Sequence, residues 1–131
     1  MRDNETRREI VRLKLVQARE SLEEAKTLLV QDAEVNFVMN SLYYAFLYPV
    51  LGLLQARGIS APMQATAISL FEQEYVQSGV IDREFLDAIR RAFELRPACA
   101  CEGQKRAAPE EIEQLLPKAE EFLEKVQRII E

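Results

Sequence analysis

The chain has 131 residues, 48% of them apolar and 30% charged, with a net charge of −5. That length fits one ordinary domain, and that apolar content builds a core, which excludes a disordered tail. The acidic balance lacks the broad positive field on which a general nucleic-acid binder depends.

The first ten residues, MRDNETRREI, are densely charged and contain no apolar stretch of the kind a secretory signal needs. The longest apolar run uninterrupted by a charged, amide or Ser/Thr side chain is Leu42 to Leu54, 13 residues. It falls short of the roughly 20 needed to span a membrane and fits a buried core helix, so a cytoplasmic location is expected. Only four glycines are present, which favours long helices over turn-rich strands.

A first helix is expected from Asn4 to Val30, because Ile10, Val11, Leu15, Ala18, Leu22, Ala25 and Leu29 recur at three- and four-residue steps. A second, from Ala33 to Arg57, has Asp32 or Asn36 as its expected N-cap and Gly58 as its stop. It is apolar almost all round in its C-terminal half, which places it at the centre of a bundle or in a subunit interface. Pro49 predicts a kink between Ala45 and Pro49. A third helix opens at Ala61–Pro62 and ends before Gly79, and a fourth follows Asp82 as N-cap and stops at Pro97. Residues 97–108 read as a long loop. The last helix starts at Pro109, and Pro117 predicts a kink or a break within it. The expected fold is a single domain over residues 1–131: an all-α, antiparallel helical bundle of about five helices, with two long N-terminal helices and shorter ones packed across them.

The segment from Asn40 to Tyr48, NSLYYAFLY, resembles the HEPN-domain helix whose core reads approximately N-R-A-Y-Y-A-M-F-H/Y-A. ARESLEEAKTLL (18–29) is similar to that family's first helix, AISLFEQEYVQSG (67–79) to its third and RAFELR (91–96) to the end of its fourth. PEEIEQLLPKAEEFLEKV (109–126) is similar to its acidic closing helix, so the resemblance spans about 110 of the 131 residues in order. The resemblance implies a five-helix bundle, commonly a homodimer, in a bacterial or archaeal cytoplasm. Many relatives pair with a small nucleotidyltransferase in toxin–antitoxin or related two-component systems. Active members are metal-independent endoribonucleases that use an R-x4–6-H motif across the dimer. Here the arginine position falls on Ser41 and the histidine position on Tyr48, and the chain has no histidine. An unperturbed tyrosine, with a pKa near 10, is a poor general base near neutral pH.

Ser41, Tyr44 and Tyr48 stand at i, i+3 and i+7, and Asn40, Tyr44 and Tyr48 form the adjacent i, i+4, i+8 row. They are either the wall of a polar, aromatic cleft or interface and core tyrosines with satisfied hydroxyls. Arg90, Arg91 and Arg96, with Lys105 and Arg106 nearby, either hold a phosphate or pair with Glu94 or Asp87 at a helix C-terminus. Cys99 and Cys101 are too close in sequence for an unstrained disulfide and read as reduced thiols. The glutamates of the last helix read as a solvated face, and neither metal nor cofactor is expected. The functional expectation is a catalytically inactive HEPN-like domain that acts by protein association, homodimeric, with a nucleotidyltransferase as candidate partner. The alternatives are a nucleotide- or RNA-binding module using Tyr44, Tyr48 and Arg96, and a divergent metal-independent endoribonuclease using Arg91 or Arg96.

Overall fold

Helical spacing of apolar side chains coils the N-terminal segment into α1, Arg2–Val30, which buries Val11, Leu15, Ala18, Leu22 and Ala25 along one stripe. The structure is a computed structural model and describes residues 2–97 and 107–130. Cys99, Cys101, Lys105, Arg106 and most of the expected loop at 97–108 lie outside the described residues.

The end of α1 corrects one expectation. Asp32 has φ 58°, and its N–H bonds the Leu29 carbonyl at 3.1 Å while the Ala33 N–H bonds the Leu28 carbonyl at 3.0 Å. These two bonds close the last turn of α1, so Asp32 terminates this helix instead of capping the next. Asn36 lies inside α2, Val35–Ala56, and the residue before that helix is Glu34, which makes no side-chain cap bond. The same two-bond closure ends α2. Gly58 has φ 73°, its N–H bonds Gln55 at 2.9 Å, and the Ile59 N–H bonds Leu54 at 2.9 Å.

Helix α2 runs unbroken through Pro49. Its length and composition would by themselves suit a membrane span, yet 72% of its most apolar window is buried within the bundle. Burial against its neighbours, more than the length of the apolar run, is what marks it as a core helix.

Helix α3, Gln64–Phe71, begins two residues after Pro62 and passes directly into a π-turn, Glu72–Val76, in which the Gln77 N–H reaches the Glu72 carbonyl at 2.8 Å. Helix α4, Arg83–Leu95, follows Asp82 as expected. The Asp82 carboxylate makes no cap bond and lies 3.8 Å from Lys125 Nζ. Helix α5, Pro109–Ile130, is as long as α2, at 22 residues, and of the kink or break expected at Pro117 there is no break, the helix continuing in one piece. Pro117 and Glu113 are both exposed, so the hydrogen bond lost to the proline lies on the side of the helix that water can reach.

Among the described residues the fold is therefore an all-α antiparallel bundle of five helices, in which α2 packs against α1, α3, α4 and α5. Its aromatic centre is Phe122 on α5, whose ring lies 6.2 Å from Phe46, 5.7 Å from Phe71 and 5.6 Å from Phe85. Those four rings tie α2, α3, α4 and α5 together.

Candidate functional site

The surface of α2 that its neighbours leave uncovered is a single helical row. Phe37 is 61% exposed and Asn40 is exposed, and Tyr44, Tyr48 and Leu51 continue the row half-buried. Steps of three and four residues put these side chains on one line. Ser41, one residue along from Asn40, turns inward and is buried. The structure thus brings Asn40, Tyr44 and Tyr48 onto one surface and leaves Ser41 beneath it.

The tyrosines form a chain of ring contacts. Tyr44 lies 5.5 Å from Tyr48 and meets Tyr43 edge-on at 5.3 Å. Tyr43 is buried, and its hydroxyl donates to Gln64 Oε1 at 2.7 Å, which anchors the row to α3. Each end carries a cation. Lys14 of α1 places Nζ 5.5 Å from the centre of the Tyr48 ring. Arg96, just past α4, lies 5.7 Å from the Tyr43 ring and stacks on Phe93 at 3.6 Å, with Nη1 donating to the Phe93 carbonyl. Gly52, one turn beyond Tyr48, is where α1 comes close: a side-chain carbon at that position would sit 3.5 Å from the Lys14 stem.

Burial pushes the Tyr48 hydroxyl above its ordinary value of 10, and the neighbouring Tyr44 adds to the effect. Tyr43 is pushed up to about 12, mainly by burial and with Arg96 opposing. A hydroxyl raised above its usual range is a weaker base supply at neutral pH than a free tyrosine. The row therefore offers ring faces, hydroxyl groups for hydrogen bonding and nearby positive charge. Two buried acceptors close to this surface in sequence, Gln17 Oε1 on α1 and Asn36 Oδ1 on α2, have no hydrogen-bond partner among the described residues. Such unmet demand is commonly answered by water or an incoming partner.

Arg91 stands apart from the row. Its guanidinium forks onto the Glu111 carboxylate of α5, with Nε 3.2 Å from Oε2 and Nη2 on Oε1, and it also pairs with Glu94 at 3.2 Å. Arg90 is paired with Glu72 at 2.6 Å, and Arg83 reaches the same carboxylate at 3.4 Å. Arg90 and Arg91 are held in ion pairs between helices. No three acidic side chains converge as a metal site would require among the described residues.

Lys14, Gln64 and Phe93, and Tyr43 buried beneath, support this surface and were not read from the sequence as site residues. Tyr43 adjoins the motif and could have been found by its place in it. The other three come from helices far away in the chain, and no local spacing marks them.

The sequence model of the HEPN domain matches residues 11–129. A UPF0332 protein of Thermotoga maritima is 32% identical over 114 residues, covering 87% of this chain and 86% of that protein. A Methanocaldococcus jannaschii protein whose name marks it as a candidate toxin is 26% identical over 117 residues, covering 89% of this chain and 80% of that one.

Proposed function

This chain belongs to the HEPN-domain family, and from that membership we propose that it acts by protein association, as a catalytically inactive, homodimeric component of a toxin–antitoxin type pair. The observation that carries this reading is the open row of α2, from Phe37 through Tyr44 to Leu51. A 61% exposed phenylalanine in line with half-buried tyrosines is costly to leave in water and suits a self-complementary interface. The relative named as a candidate toxin supports the toxin–antitoxin context, and a nucleotidyltransferase is the proposed partner. The inactive half of the proposal rests on Ser41 and Tyr48 at the motif positions. Ser41 is buried and carries no charge, and Tyr48 is shifted away from proton transfer at neutral pH.

Light scattering tests the association. At tens of micromolar the protein should weigh about twice the 15.1 kDa of one chain, and Phe37→Glu with Tyr44→Glu should return it to one. A wild-type protein that stays monomeric defeats the reading. Cleavage of RNA by the pure protein, abolished by Tyr48→Phe, would overturn the inactive half.

A second reading, a nucleotide- or RNA-binding surface, draws on the same row because Lys14 lies over the Tyr48 ring and Arg96 over Tyr43, the buried ring that Tyr44 meets edge-on. Saturable binding of a nucleotide or short RNA that weakens with Tyr44→Ala supports it, and no binding at millimolar ligand removes it.

A further inference from the structure

Separate from the tyrosine row, a groove of about 980 Å³ opens where α1, the end of α2, the π-turn and the end of α5 meet. None of its lining residues belongs to the row. Its rim carries Arg7, Arg8 and Arg12 from α1 and Arg57 from just past α2. Its floor is aliphatic, with Val11, Leu15, Val80, Ile129 and Ile130, and two of these, Val80 and Ile129, are 39% and 37% exposed.

In a chain with a net charge of −5, this is a local reversal of sign. Arg57 is engaged: it pairs with Glu74 at 3.2 Å and covers the Tyr75 ring at 4.1 Å. Among the side chains described from residue 5 onward, none places a carboxylate within ion-pairing distance of Arg7, Arg8 or Arg12, although acidic residues outnumber basic ones by 22 to 17. Three guanidinium groups beside an apolar floor favour a ligand that brings carboxylates and aliphatic surface together.

We propose that this groove docks an acidic amphipathic helix of a partner protein. The apolar stripe of such a helix would cover Val80 and Ile129, and its flanking carboxylates would meet Arg7, Arg8 and Arg12. A simple inorganic anion leaves the aliphatic floor uncovered, and the volume is near the top of the range of about 300–1,000 Å³ for small-molecule clefts. A nucleotide fits less well. The lining side chains include no amide or carboxylate to read a base edge, and the single aromatic ring, Tyr75, is 3% exposed with Arg57 across its face.

Fluorescence anisotropy with a synthetic helix of about 18 residues, leucines at helical spacing and glutamates on both flanks, tests the assignment. The controls are a scrambled peptide of the same composition and an oligouridine. The patterned peptide should bind saturably, and the scrambled one about tenfold more weakly or worse, since charge alone does not fill the floor. Arg8→Glu with Arg12→Glu should weaken binding by about tenfold or more while the thermal melt is kept, because both side chains are exposed. Val80→Asp should do the same from the apolar side. Phe37→Glu with Tyr44→Glu should leave peptide binding unchanged, which keeps this result distinct from self-association. Absence of saturable peptide binding, equal binding of the scrambled peptide, or wild-type affinity in both groove variants overturns the proposal. Oligouridine binding more tightly than the peptide also overturns it, in favour of a nucleic-acid surface.

Discussion

Arg91 on α4 and Glu111 on α5 lock the beginning of the last helix to the end of the fourth through a two-pronged ion pair. Arg91, which the sequence offers either as a phosphate ligand or as an ion-pair partner, is held here by carboxylates of α4 and α5. The pair also contributes to how the protein responds to acid.

The hydrogen bond from Arg91 holds the Glu111 carboxyl below its ordinary value of 4.5, and Arg90 and then Arg83 hold Glu72 below it in the same way. A carboxyl whose pKa is lower in the folded state contributes stability above its unfolded value, and that contribution is lost as pH falls through the folded value. Urea midpoints should hold steady down to about pH 5 and decline below the unfolded value of 4.5. Glu111→Gln should flatten part of the decline, and salt should shrink it because Arg91 is exposed. A midpoint that is flat from neutral pH to pH about 3 contradicts the prediction.

At the alkaline end Tyr43 contributes alongside Tyr48 and Tyr75, whose hydroxyls burial also pushes up. The Tyr43 hydroxyl is pushed up to about 12 by burial, so the folded state binds the proton more tightly than the unfolded chain. Its contribution is fully present below the ordinary value of 10 and is lost as pH rises towards 12. Tyr43→Phe should therefore lessen the loss of stability across that interval, as read by circular dichroism. A variant and a wild type that lose stability in parallel would count against Tyr43 as a contributing group.

Tyr75 donates from its hydroxyl to the Leu53 carbonyl at 2.7 Å, and the bond is buried. The Leu53 carbonyl sits in the last turn of α2, where helix carbonyls run out of backbone partners. Tyr75→Phe should cost about 1–2 kcal/mol, measured by urea denaturation, because it leaves a buried acceptor unmet. Oligomeric state should not change, since Tyr75 is no part of the α2 row.

The two helix ends provide a matched pair of tests. Asp32→Gly should stabilise by about 0.5–1 kcal/mol, since glycine adopts its left-handed geometry without the side-chain penalty. Gly58→Ala should destabilise by about 1–2 kcal/mol, from the same conformational term, with a methyl that would approach Arg7 Nη2 at 3.1 Å adding to it. Opposite signs in thermal melts support the reading, and equal signs contradict it.

Local spacing determined a large part of this protein. The apolar steps of α1, the buried centre of α2, the Pro109 start of α5 and the order of segments from 18 to 126 all follow from side chains a few residues apart. Helical periodicity is a property of neighbouring residues, so sequence carries it directly. The same holds for the altered motif positions, Ser41 and Tyr48, which can be read one residue at a time.

Tertiary structure decided what depends on distant residues. Asp32 became a helix terminator, since the closing bonds around it, and not its chemical type, set its role. Arg91 was taken up by Glu111, twenty positions away, and Ser41 turned inward although it neighbours Asn40 on the helix. Lys14, Gln64 and Phe93 reached the tyrosine row, and Arg7, Arg8 and Arg12 met the end of α5 across a groove, only once the helices had packed. Partnership between charges and rings is a matter of through-space distance, and no spacing along the chain encodes it.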